Sequence, residues 1–125
     1  MAKDYKPLDL LSKEQLKEIR EKKDWINVVS ISLNWLQIIA AMALFFYFPN
    51  VLTFLLSVIV IGSRQFALAV LAHDGAHNLL FSNEKINDFI SQWFCAFPLF
   101  SDNRPYRPYH LAHHRFTESE NDPDL

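Results

Sequence analysis

The five histidines of this chain all fall in two short windows, residues 73–77 (HDGAH) and 110–114 (HLAHH). Side chains four residues apart on an α-helix project from one face, so the first window can direct two imidazoles at one metal ion. In the second window, the first imidazole lies below two others that diverge by about 100° and can supply neighbouring ions. A lone histidine usually binds nothing, but this clustering predicts a metal site. Its candidate ligands are His73, His77, His110, His113 and His114.

The sequence constrains the metal itself less tightly. Neutral imidazole suits iron, zinc, copper and nickel alike. The single cysteine, Cys95, lies in an apolar run where a buried thiol is expected, so no thiolate ligand is available. Five imidazoles without a thiolate fit one closed, four-ligand zinc site poorly and indicate a share of a larger site. Gly75, inside the first window, either lets helices approach closely or breaks the helix. Four polar residues either orient imidazole N–H groups or serve as caps and loop residues: Asp74, Asn78, Asp102 and Asn103.

Two apolar blocks can place these windows at a membrane. Residues 28–48 are 21 residues without a charge, the length of a helix that crosses a hydrocarbon core of about 30 Å. Pro49 and Asn50 end that helix, and residues 51–72 form a second block, so the sequence predicts a transmembrane helical hairpin. Basic residues precede the first span and none occupies the turn, which puts the N-terminus in the cytoplasm. The first window, about 33 Å along the second helix, is then expected at the cytoplasmic membrane face.

The flanking segments are shorter. In the charged lead-in, residues 1–24, Ser12 and Gln15 resemble a capping box, which predicts a short amphipathic helix. Its charges nearly cancel, so a solvated lead-in is favoured over a membrane anchor. Residues 86–100 are apolar but too short to span, which predicts an interfacial or re-entrant helix and keeps both windows on one face. Arg64, within the second block, either snorkels to the headgroups or faces inward to hold a carboxylate.

With these residues in view, the chain resembles a known family. Residues 62–80, GSRQFALAVLAHDGAHNLL, resemble the first histidine box of membrane-bound fatty acid desaturases. Residues 106–125, YRPYHLAHHRFTESENDPDL, resemble the second box, including its acidic Asp-Pro-Asp tail. The resemblance covers roughly residues 30–125 and rests on paired boxes behind a helical hairpin, which is a specific signal.

The resemblance implies an all-α integral membrane protein, with a transmembrane hairpin and an interfacial helix that belong to a four-helix desaturase domain. Residues 1–24 would be a cytoplasmic lead-in, and residues 25–125 a partial desaturase domain with cytoplasmic histidine boxes. By position, the resemblance makes the five histidines ligands of a di-iron centre that takes about eight imidazoles. Such enzymes use O2 to desaturate a lipid acyl chain, with electrons from ferredoxin or cytochrome b5. A net charge of −2 gives no reason to expect a nucleic-acid partner.

Three alternatives to a desaturase stay open. Related proteins with similar boxes hydroxylate or ketolate carotenoids and other lipids, and a non-enzymatic membrane protein could bind zinc or another ion through the same imidazoles. The third alternative is a structural hairpin whose histidines merely lie at the headgroups. The family also has a third histidine box after a further pair of spans, and the 125 residues contain neither. We therefore expect the chain to be a fragment of an oxidoreductase and to be inactive alone.

Overall fold

A computed structural model of the protein describes residues 10–125. Within that range no β-strand occurs, which confirms the all-α class. The first nine residues of the predicted lead-in lie outside the described part. The elements are α1 (Lys13–Ile19), α2 (Asp24–Tyr47), α3 (Val51–Ala76), α4 (Glu84–Ile90), a π-helix (Ser91–Ala96), a 3-10 turn (Phe97–Leu99) and α5 (Asn103–Phe116).

The predicted hairpin is formed by α2 and α3, which have 24 and 26 residues. At about 1.5 Å per residue they are roughly 36 and 39 Å long, and each contains an apolar stretch sufficient to cross a membrane. Large apolar side chains such as Phe46 and Val51, 76% and 75% exposed, cover their outer surface. Such a surface suits lipid rather than water. The helix α3 extends four residues beyond the predicted span and so includes most of the first histidine window.

Polar side chains tie the two helices of the hairpin together. Asn50 caps α3, since its side chain accepts from the Thr53 N–H at 3.0 Å and Thr53 Oγ1 accepts from the Asn50 N–H at 3.2 Å. Thr53 Oγ1 also donates to the Phe48 carbonyl at the end of α2. Deeper in the hairpin, the buried Ser57 hydroxyl donates to the Ala41 carbonyl at 2.8 Å. These bonds fix the register of α2 against α3.

The capping box predicted at the start of the lead-in helix is present. Ser12 Oγ accepts from the Gln15 N–H at 3.2 Å, and Gln15 Oε1 accepts from the Ser12 N–H at 2.9 Å. No residue of α1 is buried, which is consistent with a solvated segment. The preference for a solvated lead-in over a membrane anchor stays a prediction.

The segment predicted to lie at the interface is a short helical run that packs on the end of α3. Ala72, Leu80, Cys95 and Ala96 belong to the buried cluster between them. The Trp35 indole N–H donates to the Phe94 carbonyl at 3.0 Å, which also holds the π-helix against α2. The run of α4, π-helix and 3-10 turn is too short to span, as predicted, and its depth relative to lipid stays a prediction.

Candidate metal centre

The first histidine window lies where α3 ends in a Schellman motif. Asn78 follows the helix with a φ of 57°, a left-handed conformation that asparagine tolerates. Its N–H donates to the Gly75 carbonyl at 3.0 Å, and the next N–H donates to the Asp74 carbonyl at 2.9 Å. Asn78 is therefore a cap, one of the two roles the sequence left open. The helix places His73 in its last turn and His77 at its C-cap.

The second window occupies the end of α5. Asp102 caps this helix, since its carboxylate accepts from the Arg104 N–H at 2.9 Å. Pro105 falls in the first turn, where N–H groups have no intrahelical acceptor, so it costs the helix little. Pro108 lies inside the helix and removes one backbone bond. Both windows are thus helical, as their spacing predicted.

Four of the five histidines converge. Each offers a ring nitrogen within 4.8 Å of the others; they are His73, His77, His110 and His114. The Nε2 atom of His110 lies 3.0 Å from Nε2 of His77 and 3.0 Å from Nε2 of His114. The ring of Tyr106 stacks on His110 at 5.0 Å between centroids with an interplanar angle of 12°. Histidines from both windows therefore share one site.

The separations within this cluster fit a common metal ion. Two nitrogens 3.0 Å apart and each about 2.1 Å from an ion subtend roughly 90° at it, the angle between neighbouring ligands of an octahedron. A neutral imidazole has one N–H and one lone pair. A cation beside His110 Nε2 could accept its lone pair together with those of His77 and His114. The donor set of neutral nitrogens suits iron, zinc, copper or nickel.

The electrostatics of the cluster favour unprotonated rings. Burial lowers the pKa of His77, and nearby positive charge on His73 and His114 lowers it further. Burial likewise comes first among the causes that lower the pKa of His110, followed by the neighbouring histidines. Metal ligands must be deprotonated, so both shifts keep ligand lone pairs available.

The remaining predicted ligand, His113, lies apart from the cluster. Its Nδ1 is 2.8 Å from an Asp122 carboxylate oxygen and 2.9 Å from Asp124. The hydrogen bond to Asp122 raises the pKa of His113. The Asp124 backbone N–H, with the His113 ring, lowers the pKa of Asp122. With Nδ1 directed at carboxylates, Nε2 is the nitrogen that His113 can offer to a metal.

Sequence reasoning did not predict these carboxylate partners or the residues that hold the windows together. The acidic tail was visible only as part of the resemblance, and Asp122 returns to His113 through a turn in which Glu118 has a φ of 60°. Asn87 carried no motif, and Arg107 was visible only as part of the resemblance to the second box, although both bond to the first window. Of the four polar residues considered, the structure places Asp74 beside the His73 ring at 3.3 Å and bonds Asn103 to the Ala72 carbonyl at 3.0 Å.

A hairpin of two long apolar helices, the second of which ends at a cluster of imidazoles, is the architecture of a helical membrane protein with a candidate metal centre. The family model for fatty acid desaturases matches residues 48–125, and the chain belongs to that family. It is 40% identical over 72 residues to the dihydrorhizobitoxine desaturase of Bradyrhizobium elkanii, which is 56% of this chain and 20% of that protein. It is 43% identical over 60 residues to the omega-3 fatty acid desaturase fat-1 of Caenorhabditis elegans, which is 47% of this chain and 14% of that protein. No solved structure matches.

Proposed function

We propose that this chain forms part of the di-iron centre of a membrane desaturase that introduces a double bond into a lipid acyl chain using O2. The observation that carries the proposal is the convergence of imidazoles from both windows, with His110 Nε2 at 3.0 Å from rings of each window. Membership of the desaturase family supports the reaction class. The chain covers a fifth or less of the matched relatives, so the five histidines are proposed as a share of a larger ligand set.

The four clustered histidines and His113 would contribute differently to the metal centre. The four clustered histidines would bind through ring nitrogens that already face a common point. His113 would bind through Nε2 while Asp122 holds its Nδ1 proton, an arrangement that orients the ring and raises its basicity. Because His113 and His114 point to different sides of α5, they would serve different ions.

Iron bound at this site would supply the redox chemistry of desaturation, in which O2 is reduced to two waters by two electrons, two protons and two hydrogens taken from adjacent acyl carbons, and a C=C bond remains between those carbons. The residues of this chain would bind the metal and orient the imidazole rings. Lowered pKa values favour the unprotonated forms of His77 and His110. The Asp122 carboxylate would hold the proton on His113 Nδ1, and Tyr106 would fix the plane of the His110 ring by stacking.

The apolar hairpin favours a lipid substrate, since its exposed surface would lie in the bilayer that contains the acyl chain. We further propose that the N-terminus and both windows face the cytoplasm, where ferredoxin or cytochrome b5 would supply electrons. The two matched relatives are named for different substrates, dihydrorhizobitoxine and an omega-3 fatty acid. Their similarity therefore supports desaturation more strongly than any one acyl substrate.

The test combines metal analysis with lipid analysis of protein expressed from the complete reading frame. The purified membrane protein should contain two irons per chain, and cells that express it should gain unsaturated acyl chains. His77→Ala and His110→Ala should abolish both effects. Gly62→Ala is a matched control on α3, because nothing lies within 4 Å of the added methyl group.

Three outcomes would contradict the proposal in different ways. One zinc and no iron per chain would indicate a non-enzymatic metal-binding protein. Unchanged acyl chains with altered carotenoids would indicate a hydroxylase or ketolase. Histidine variants that keep iron content and activity would remove the two windows from the metal centre altogether.

A further inference from the structure

The carbonyl oxygen of Gly75 joins three helices at one atom. Gly75 lies in the last turn of α3, inside the first histidine window, where carbonyls lack partners within the helix. Besides the Asn78 N–H of the cap, at 3.0 Å, this oxygen accepts from Asn87 Nδ2 of α4 at 2.9 Å and from Arg107 Nη2 of α5 at 3.0 Å. Two side chains from the elements that follow the first window are therefore bonded to the window itself.

Asn87 uses the full hydrogen-bonding capacity of its side chain and is completely buried. Its Nδ2 donates to the Gly75 carbonyl and, at 3.1 Å, to Asn78 Oδ1. Its Oδ1 accepts from the Leu80 N–H at 3.1 Å and the Phe81 N–H at 3.4 Å. Because each end of the amide has its own partners, neither an apolar side chain nor a carboxylate can replace it. Asn87 thus locks the loop after the first window to α4.

Arg107 connects the second window to the same carbonyl. It precedes His110 by three residues on α5, so both side chains lie on one helix face. Its Nη2 donates to the Gly75 carbonyl and also to the Asp88 carboxylate. Holding Arg107 there holds His110 at the end of α3, where its Nε2 lies 3.0 Å from His77 Nε2.

We propose that Asn87 and Arg107 are positioning residues for the metal centre, which act through the Gly75 carbonyl to set the approach of the two histidine windows. This inference rests on the proposed function, because positioning has a purpose only if the imidazoles bind a metal. The two residues touch no metal-ligating atom. Their effect is on the angle and separation of the ligands.

Titration with Co2+ of the protein expressed from the complete reading frame and purified in detergent tests the inference. Asn87→Asp removes the donor to Gly75 but keeps an acceptor for the loop. Arg107→Lys keeps the charge, but an ammonium on a flexible stem does not reproduce the planar fork of a guanidinium. Each variant should weaken Co2+ binding by about 10- to 100-fold, the usual effect of removing groups that orient ligands. Each should also change the visible absorption spectrum of bound Co2+.

Two matched substitutions serve as controls. Asn83→Asp makes the same chemical change on α4 at the N-cap, where aspartate caps equally well. Arg104→Lys lies one turn before Arg107 on α5, and its side chain is 75% exposed and paired with Asp102. Both controls should keep the affinity and spectrum of the unsubstituted chain. The Asn87→Asp/Arg107→Lys double variant should lose less than the combined single effects, because both act through one carbonyl.

The outcomes separate positioning from mere structural support. If the variants lower only the thermal stability of the metal-free chain, and folded molecules bind Co2+ with unchanged affinity and spectrum, the inference is wrong. If Asn87→Asp does not fold, Asp88→Asn tests the same network through the partner of Arg107, and unchanged binding there also contradicts it. Absence of Co2+ binding by the unsubstituted full-length protein contradicts the proposed metal centre and removes the basis for positioning. Normal binding by that protein with unaffected variants contradicts the positioning role alone.

Discussion

Gly75→Ala should disrupt the packing on which the first histidine window depends. A methyl group on Gly75 would lie 2.2 Å from Ser91 Cβ, 2.8 Å from Ser91 Oγ and 3.4 Å from Leu80 Cδ1. Ordinary carbon contacts are about 3.5–4.0 Å, so the π-helix would have to retreat by about 1.3–1.8 Å. The nearest obstacle is a Cβ atom, which cannot move unless its backbone does. Rotamer changes therefore cannot relieve the clash.

The cost can be worked out from that displacement. Overpacking of this kind costs about 1–3 kcal/mol. A shift of this size would also break the bonds from Asn87 and Arg107 to the Gly75 carbonyl, at about 1 kcal/mol each. Replacing a helical glycine by alanine returns about 1 kcal/mol. We expect a net loss of about 2–4 kcal/mol in the free energy of unfolding.

Cys95 supplies the assay. It is the single cysteine of the chain, it is fully buried in the π-helix that faces Gly75, and burial raises its pKa to about 12. Its reaction with a maleimide therefore reports opening of this packing. At tenfold per about 1.4 kcal/mol, labelling of Gly75→Ala in detergent should accelerate by roughly 30- to 1,000-fold.

Two companion variants make the result decisive. Gly62→Ala, on the same helix with open space around it, should not accelerate labelling. Ser91→Gly combined with Gly75→Ala removes the clashing Cβ and should recover most of the loss. Labelling of Gly75→Ala at the unsubstituted rate would refute the reasoning, and so would equal acceleration by Gly62→Ala.

Three further predictions concern the hairpin, the outlying histidine and the cluster. Ser57→Ala removes the hydrogen bond to the Ala41 carbonyl and should lower the free energy of unfolding by about 0.6–1.7 kcal/mol in lipid or detergent. An unfolding titration that shows no change would contradict this prediction. Asp122→Asn should lower the pKa of His113 towards its ordinary value, as measured by NMR of the ring, because the carboxylate that raises it is lost. Because the pKa of His113 is raised and that of Asp122 is lowered in the folded chain, the stabilisation from this pair is full between about pH 4 and about pH 6.5. It fades as pH rises through the raised pKa of His113 and as pH falls through the lowered pKa of Asp122. Asp122→Asn should therefore destabilise more at about pH 5–6 than at alkaline pH, and a loss independent of pH would speak against the ion pair. His110→Ala should weaken Co2+ binding more than His113→Ala in the same titration, because His110 contacts rings of both windows; equal losses would contradict this geometry.

The helical placement of the ligands could be predicted from sequence. Spacing of three and four residues fixes which imidazoles share a face, and uncharged length identifies the hairpin, because both depend on local geometry alone. The divergence of His113 from His114 follows from the same 100° step. The structure shows the consequence, with His114 in the cluster and His113 turned towards Asp122.

The contacts that hold the windows together depend on long-range packing and could not be predicted. The Gly75 carbonyl meets Asn87 and Arg107, which are 12 and 32 residues away in sequence. Whether Gly75 allowed close approach or broke the helix depended on what lies opposite it, and the answer is Ser91 of the π-helix. Asn87 lies in no motif, and the resemblance that includes Arg107 gives no signal of a contact with the first window.

Imidazoles from both windows are proposed to bind the same metal ions. X-ray absorption spectroscopy of the iron-loaded protein would count the histidine ligands of the iron before and after substitution in each window. Loss of imidazole scattering from the iron in His77→Ala and likewise in His110→Ala is the predicted result. An iron environment that changes with one window and is indifferent to the other would contradict it.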